Sequence, residues 1–430
     1  MEPVPKKALS LLDCTCIIVG IIIGVGIYET SPTVAACMGG WKATVAIWLA
    51  GGFVVLCGAL CYAELASAYP RQGGDMIYLS RAYGPWAGFL FGWSQMAVIR
   101  PTDIALMAYI FARYASTLYA PFAHSMRIYA AGAIAVLTLI NLLGVRESRW
   151  TQNLLTIIKV AAVVFIAVVG WLSPGGASVA SIDSVSVSGV KLGMILVLYT
   201  YGGWHELSYV AGEIRNPRKN ILRALLLGTI TVALLYLLIN GAFLRALGYP
   251  AMAASQSVAS DAVGQAFPSV AGRLIAVVIC VSALGTLNGM VFTGARITYA
   301  LGQAHPMFER LGRWHPRLGT PVVALLMQGT IGLVIVLLAG SFIDTILYSA
   351  PAVWLFFLGT ATSLFVLRRK DPECERPFRV VGYPIIPTVF FLSCLFMLYG
   401  SVSYAFAQRP LGLVVMFVVM AFGVVLSQRK

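Results

Sequence analysis

Long apolar runs follow one another along the whole chain, separated only by short polar segments. Twelve of them reach the roughly 18 residues that a helix needs to cross a bilayer. They cover residues 11–37, 42–67, 84–118, 126–144, 153–172, 189–211, 221–246, 271–301, 321–340, 344–367, 384–407 and 411–427. No stretch between them is long enough to hold a soluble domain. The pattern predicts an all-α polytopic membrane protein with twelve transmembrane helices. Composition agrees: of the 430 residues, 59% are hydrophobic and 11% charged, with a mean hydropathy of +0.86, far from the globular balance. The first ten residues lead straight into a span without a small-residue cleavage site, so no signal peptide is expected.

Two runs differ from the rest. The first contains "VGIIIGVGIYETSP" (19–32), where Gly20, Gly24, Gly26 and Pro32 crowd a segment that otherwise reads as helix. The sixth reads "GMILVLYTYGGWHELSYVAGEIRNP", with Gly202-Gly203 in mid-span and Pro217 closing it. A glycine weakens a helix by up to about 1 kcal/mol relative to alanine. Taken singly, either segment is equally a packing contact, since Gly20 and Gly24 have the GxxxG spacing that lets helices approach closely. Taken together, the weak points lie five spans apart and enter the membrane from opposite faces. That arrangement is the sequence pointer to an inverted-repeat transporter. The expected organisation is a cytoplasmic N-terminus over 1–10, a first five-helix repeat over 11–172, and a second, inverted repeat over 189–367. Helices 11 and 12 and a short cytoplasmic C-terminus occupy 384–430. The inference of repeats rests on the breaks alone.

The net charge of +14 changes the picture through its distribution. With the N-terminus inside, 20 of the 30 Lys and Arg fall on cytoplasmic segments, including Lys6, Lys7, Arg215, Arg218, Arg368, Arg369, Arg429 and Lys430. This is the positive-inside asymmetry; it predicts both termini in the cytoplasm and reads as topology rather than a nucleic-acid footprint. The eight cysteines lie mostly in spans and the outer loops offer no pair, so no disulfide framework is expected. Cys57 and Cys61 are one turn apart with no histidine near in sequence, which favours packing over metal binding. No N-x-S/T sequon occurs, in keeping with a bacterial inner membrane. "GVGIYE" lacks the third glycine and the preceding strand of a dinucleotide fingerprint. With no nucleophile-and-base set, phosphate loop or metal cluster, the chain reads as a non-enzyme without cofactor or metal.

Unwinding a helix in mid-membrane frees backbone groups that lipid cannot satisfy. A zwitterionic solute in a wet cavity can. The N–H groups around Val25, Gly26 and Ile27 would face a carboxylate at the positive end of the outer half-helix. Carbonyls near Tyr199, Thr200 and Gly202 would accept from an α-ammonium, and glycine lets the ligand reach the backbone.

These same stretches carry a family resemblance. "IIIGVGIYETSP" resembles the G-S-G-I-F stretch of the amino acid–polyamine–organocation transporter superfamily. "GALCYAELASAYPRQGGDMIYLSRAYG" (58–84), "YTYGGWHELSYVAGEIRNP" (199–217), "LNGMVFTGARITYALGQAHPMFERLGRWHPRLGTP" (287–321) and "ERPFRV" (375–380) are similar to its L-amino-acid transporter branch. The match runs in order from about residue 10 to residue 407. It implies the LeuT-like fold of five-helix inverted repeats with broken helices 1 and 6, and transport of amino acids. Carried over, Gly24, Val25 and Gly26 match the carboxylate loop, with Ile27 beside them. Tyr199, Thr200 and Gly202 match the amino-group site, Tyr199 at the aromatic outer gate. The chain departs from the branch at Val25 for a usual serine, at His205 for asparagine or an acid, and at Glu29 for an apolar residue.

Lys159, in "LLTIIKVAAVV", lies seven residues past Gln152, about 10 Å along a helix. That is a long reach for snorkelling to the cytoplasmic edge, and an intramembrane lysine is by default functional. The resemblance implies that a lysine here spans helices 5, 1 and 8 in place of a sodium ion, reaching a carbonyl near Gly20 and Ser282 or Thr286. His205 and Glu206 follow the sixth-span break; they either couple protons and read a substrate side chain, or form a neutral pair that orders the half-helix. Trp204 reads as bulk beside the pocket, and Asn288 as either a pocket lining or an interhelical amide. Glu64 in "CYAEL" is expected to pair with a loop cation or a helix end.

The sequence thus predicts a sodium-independent secondary transporter of amino acids, acting by exchange or proton linkage. Its partners would be a small amino acid and the lipid bilayer, with no nucleic acid. A polyamine or cationic-amine transporter is the rival within the fold; it needs acidic residues at the pocket, for which Glu29 and Glu206 stand out. A channel or scaffold is the rival outside it, and predicts no saturable counterflow. Animal relatives of the branch attach to a glycoprotein through a cysteine between helices 3 and 4. The loop here, "STLYAPFAHS" (116–125), has none, so no disulfide-linked heavy subunit is expected.

Overall fold

A computed structural model describes residues 5–122, 124–175, 186–338, 342–408 and 410–428, and its regular elements are all helical among these residues. Residues 1–4 of the expected N-terminal segment, and the terminal Arg429 and Lys430, lie outside them. The first expected span is two helices, α1 (Leu11–Ile22) and α2 (Gly26–Met38), bent by 50° at the intervening break. Next come α3 (Trp41–Ala68), the short α4 (Asp75–Tyr83), α5 (Pro85–Ser94), α6 (Arg100–Leu118), α7 (Ser125–Leu143) and α8 (Val145–Leu172). The sixth span is α9 (Val187–Thr200) followed by a 3₁₀ stretch, Trp204–Glu213. Beyond it lie α10 (Pro217–Leu247), the short α11 (Tyr249–Ala254) and α12 (Val258–Gly264), then α13 (Ala271–Ala304) and α14 (Val322–Leu338). α15 (Phe342–Lys370), α16 (Ile385–Gln408) and α17 (Pro410–Ser427) complete the chain.

Among the described residues, seven helices are each long and apolar enough to cross a membrane: α3, α7, α8, α10, α13, and most of α15 and α16. The bent pair α1 and α2 makes an eighth when counted as one span. α14 is shorter but equally apolar, as is the Met416–Ser427 part of α17. The burial pattern of α8 shows the solvent these helices are built for. Its inward face carries Ser148, Gln152, Thr156 and Lys159, at three- and four-residue spacing, while Leu154, Ile157, Phe165 and Val168 are exposed. In water this arrangement would be inverted. In lipid the apolar face costs nothing, and the polar groups find partners only inside the bundle.

α1 lies at the centre, packed against α8, α10, α13 and the 3₁₀ stretch. Its start is fixed by a capping box, with the Asp13 amide donating to Ser10 Oγ at 3.2 Å and the Ser10 amide to Asp13 Oδ2 at 2.9 Å. Asp13 also accepts from Asn153 Nδ2 at 2.7 Å, which ties α1 to α8. The preceding residue joins the far end of the sixth span: Leu9 donates to the Glu213 carbonyl, and Arg215 to that of Leu9, both at 2.9 Å.

Gly20 and Gly24 now separate. A Cβ at Gly20 would collide with Thr156 of α8, so this glycine is a packing contact. Gly24 sits in the break, where a Cβ would meet nothing closer than 3.6 Å. In the sixth span, Gly203 has a left-handed φ of 116°, and its Cβ would lie 2.7 Å from Ile21 Cγ2. A side chain there would be both strained and excluded by α1. A third irregularity precedes α6: Gln95–Ile99 forms a π turn. Pro101 causes it, because it has no N–H to give the carbonyl four residues back.

Candidate substrate site at the helix breaks

The two breaks face each other at the middle of the bundle. At the first, the outer half-helix begins with Tyr28 and Glu29 donating to the Val25 carbonyl, at 3.0 and 3.2 Å. The amides of Gly26 and Ile27 stand at the start of α2, where a helix has no internal acceptor to offer. A Cβ on Gly26 would lie 3.3 Å from the Thr200 side chain, so the loop packs directly on the end of α9. Thr30 and Thr200 join the halves again through their hydroxyls, 2.9 Å apart. Val25 itself is buried.

At the second break, Gly202 donates to the Tyr199 carbonyl at 3.0 Å, a tight turn that ends α9. Tyr236 of α10 links the two breaks. Its hydroxyl lies 2.8 Å from the Ile22 carbonyl and 3.2 Å from that of Thr200. Both are carbonyls that unwinding frees. Gly202 is exposed, Gly24 and Gly26 are part-exposed, and Tyr199 keeps 50% of its surface accessible. Tyr199 lies within electrostatic reach of Glu29 on α2 and Asp103 on α6.

The structure brings Lys159, Gly20 and Thr286 together below the first break. The Lys159 ammonium donates to the Gly20 carbonyl at 2.5 Å, the Ile23 carbonyl at 2.9 Å and Thr286 Oγ1 at 3.0 Å. Ser282 Oγ donates to the same Ile23 carbonyl at 3.1 Å. Three helices therefore meet on one ammonium: α8 carries it, and α1 and α13 receive it.

The pocket side chains divide. Trp204 is buried edge-on against Tyr62, at 4.9 Å between ring centres, and packs on Phe390 and Phe357; it is bulk under the site. Asn288 is fully buried, its amide shared with Asn141 and Gln152 at 2.9 Å each. Geometry favours the interhelical amide over the pocket lining. His205 is part-buried against Phe357. Glu206 is buried and committed: Arg100 Nη2 donates to it at 3.0 Å, Thr293 Oγ1 donates to its other oxygen, and His205 Nε2 lies 3.5 Å away. Glu29 is half-exposed and accepts from Tyr114 at 3.2 Å, with Arg113 at 3.9 Å.

Sequence reasoning missed Arg100 as the partner of Glu206, and missed Asp103 altogether. Both lie in "IRPTDIA" (99–105), and an acidic residue in mid-span was the available signal. It also left Tyr236 unremarked among many tyrosines.

The amino acid permease family model matches residues 9–426. The chain belongs to this family. It is 30% identical over 407 residues to mouse b(0,+)-type amino acid transporter 1, covering 92% of this chain and 83% of the relative. It is 30% identical over 398 residues to the serine/threonine exchanger SteT of Bacillus subtilis, covering 91% and 90%. The human large neutral amino acids transporter small subunit 2 is 31% identical over 401 residues, covering 90% and 74%. Family and relatives are transporters rather than enzymes. With its long apolar helices, this permease is a multi-pass membrane protein.

Other stretches singled out in the sequence acquire contacts. Glu64 of α3 binds Arg368 through both oxygens at 2.8 and 2.6 Å, and accepts the Val380 amide at 2.7 Å. Arg376 stands 3.6 Å away, so "ERPFRV" wraps onto this carboxylate. Glu213 and Arg296 form a second two-pronged pair at 2.8 and 3.2 Å, fully buried between the sixth span and α13. Asp75 accepts from Tyr62 at 2.5 Å and Thr360 at 2.6 Å, anchoring α4 beneath the aromatic cluster.

Proposed function

We propose that the protein is a sodium-independent secondary transporter that moves amino acids by alternating access, as an exchanger or with proton linkage. Twelve spans would form two five-span repeats of opposite orientation, with α16 and α17 appended and both termini in the cytoplasm of a bacterial inner membrane. The substrate carboxylate would bind the amides of Val25, Gly26 and Ile27 beside Gly24, assisted by the positive end of α2. Its α-ammonium would bind the carbonyls of the Tyr199–Gly202 turn, with Tyr199 closing over it.

The observation that carries this reading is the Lys159 ammonium on the Gly20 and Ile23 carbonyls and the Thr286 hydroxyl. Unwound carbonyls and hydroxyl oxygens are what a transporter offers a coupling sodium ion. Here a fixed cation of the chain occupies them, so the transport cycle has no need of a dissolved one. Activity would come from this chain alone, since the 116–125 loop has no cysteine for a covalent partner.

The test is uptake of a panel of radiolabelled amino acids by purified protein in liposomes. It is run with and without internal substrate, and with and without a pH gradient. Saturable uptake of at least one amino acid, stimulated by internal substrate or by an inward proton gradient, is expected. Uptake of none, or linear non-saturable flux, contradicts the proposal.

A further inference from the structure

Five carboxylates are buried among the described residues, and four of them have an arginine. Asp13 has Arg149, Glu64 has Arg368, Glu206 has Arg100 and Glu213 has Arg296. The fifth, Asp75, is fully buried and takes part in none of the ion pairs. It is the first residue of α4, in the segment between the second and third expected spans. Its Oδ1 accepts from Tyr62 of α3 at 2.5 Å and from Thr360 of α15 at 2.6 Å. Its Oδ2 has no hydrogen-bond partner among the protein atoms, and neither do the hydroxyls of Tyr78, Ser208 and Tyr209. The start of α4 lies directly on the 3₁₀ stretch. There the Gly73 amide donates to the Tyr209 carbonyl at 3.1 Å, and a Cβ on Gly74 would come within 2.9 Å of the Tyr209 ring.

A buried carboxylate without a cation is costly, and taking up a proton removes the cost. Two hydroxyl donors and the positive start of α4 work the other way, since they favour the charge. These effects oppose each other at one atom group, which leaves the carboxyl poised between its two forms. Burial pushes it up to about 6, against the hydroxyls of Thr360, Tyr62 and Tyr209, with nearby Glu206 adding to the rise. The titratable groups around it are Tyr62 on α3, Tyr78 on α4, His205, Glu206 and Tyr209 on the 3₁₀ stretch, and Cys394 on α16. From α15 it meets Thr360, which does not titrate. Glu206 is the charged member of this set, and Arg100 balances it.

We propose that Asp75 is the proton-binding residue of the transport cycle, carrying one proton inward with each amino acid as the neutral acid and returning as the carboxylate. The inference rests on the transport reading above and selects its proton-linked form. The proton is taken up from the outer side and released to the cytoplasm, and the carboxyl O–H is the one bond that forms and breaks. As a carboxylate, Asp75 draws the Tyr62 and Thr360 hydroxyls onto Oδ1 and ties α3 to α15. As an acid it gains a donor at Oδ2, and the unpartnered Tyr209 hydroxyl can accept it, which ties α4 to the 3₁₀ stretch instead. Tyr62 carries the change to the second break, because its ring lies edge-on against Trp204 at 4.9 Å between centres.

Asparagine has the shape of the protonated acid and keeps an acceptor for Tyr62 and Thr360 and a donor for Tyr209, so Asp75→Asn is the test. Labelled serine and leucine are followed in liposomes in two modes, counterflow against internal substrate and accumulation driven by an inward gradient of one pH unit. One proton per amino acid concentrates substrate by up to about tenfold across such a gradient. The parent should accumulate label above the outside concentration, and the ratio of accumulation to counterflow should fall at least about threefold in Asp75→Asn. Unfolding midpoints in detergent are measured alongside at pH 5 and pH 8. A carboxyl whose pKa is raised on folding lowers stability as pH rises through about 6, so Asp75→Asn should unfold above the parent at pH 8, by a margin that narrows at pH 5. The proposal requires both results. An Asp75→Asn protein that accumulates like the parent overturns it. So does one that fails to fold, or that is destabilised equally at both pH values, since the carboxylate would then be an anchor and nothing more. Counterflow by the parent without gradient-driven accumulation sinks this inference alone, whereas absence of saturable transport in both modes sinks the transport reading with it.

Discussion

At the scale of single residues, the account turns on which charges inside the bundle are matched. Lys159 is matched by backbone at the first break and by a hydroxyl of α13. Replacing it with alanine leaves that contact open, and transport should fall at least tenfold, equivalent to about 1.4 kcal/mol. Lys159→Gln keeps a hydrogen bond without the charge and should fall between the two. Initial rates in liposomes decide; parent-like transport by Lys159→Ala would mean that the side chain is merely tolerated there. Lys159 was legible because an intramembrane lysine is too expensive to be incidental. Asp103 carries the same signal in the same alphabet, yet a reading that follows the basic residues for topology passes over it. The Arg100–Glu206 pairing could not be read at all, because 106 residues separate the partners and only the tertiary fold brings them together.

At the scale of elements, the breaks were legible through their glycines, but their division of labour was not. Gly20, Gly24 and Gly203 look alike in the sequence, whereas one packs on Thr156, one lies in open backbone and one takes a left-handed turn against Ile21. The distinction depends on which neighbour each glycine meets. Likewise, the 3₁₀ course of Trp204–Glu213 has no local signature beyond the glycine pair before it. Tyr236 holds the two breaks in register through the Ile22 and Thr200 carbonyls. Tyr236→Phe should leave both without this donor and lower stability by about 1 kcal/mol. We expect a lower unfolding midpoint in detergent together with slower transport. A variant with the parent's midpoint and rate would show that the carbonyls find water instead, and that the tyrosine does not set the register.

At the scale of the whole molecule, two buried ion pairs fasten distant segments. Glu213 and Arg296 clamp the sixth span to α13, next to the residues that pair with Leu9. Removing one partner strands the other in a dry interior, at a cost of about 3–5 kcal/mol. Arg296→Met should therefore unfold at markedly lower temperature, and Arg296→Met with Glu213→Leu should recover part of the loss. If the double variant is no better than the single, the arginine acts through something other than this pair. The succession of long apolar helices was legible, seven of them by length and composition among the described residues and an eighth as the bent first pair, because a bilayer demands length and hydrophobicity of every span. The placement of Glu64 under the "ERPFRV" segment was legible only as a carboxylate in want of a cation, since Arg368 and Arg376 lie some 300 residues further on.

The central claim, that this chain exchanges or takes up amino acids with its own lysine in place of a sodium ion, is tested most directly by counterflow. Purified protein, with no second polypeptide, is reconstituted into liposomes loaded with unlabelled amino acid. Entry of the labelled amino acid is then followed in sodium chloride and in choline chloride. The account predicts saturable accumulation with the same initial rate in both salts. Accumulation that requires sodium, or that appears only when another protein is added, would contradict it.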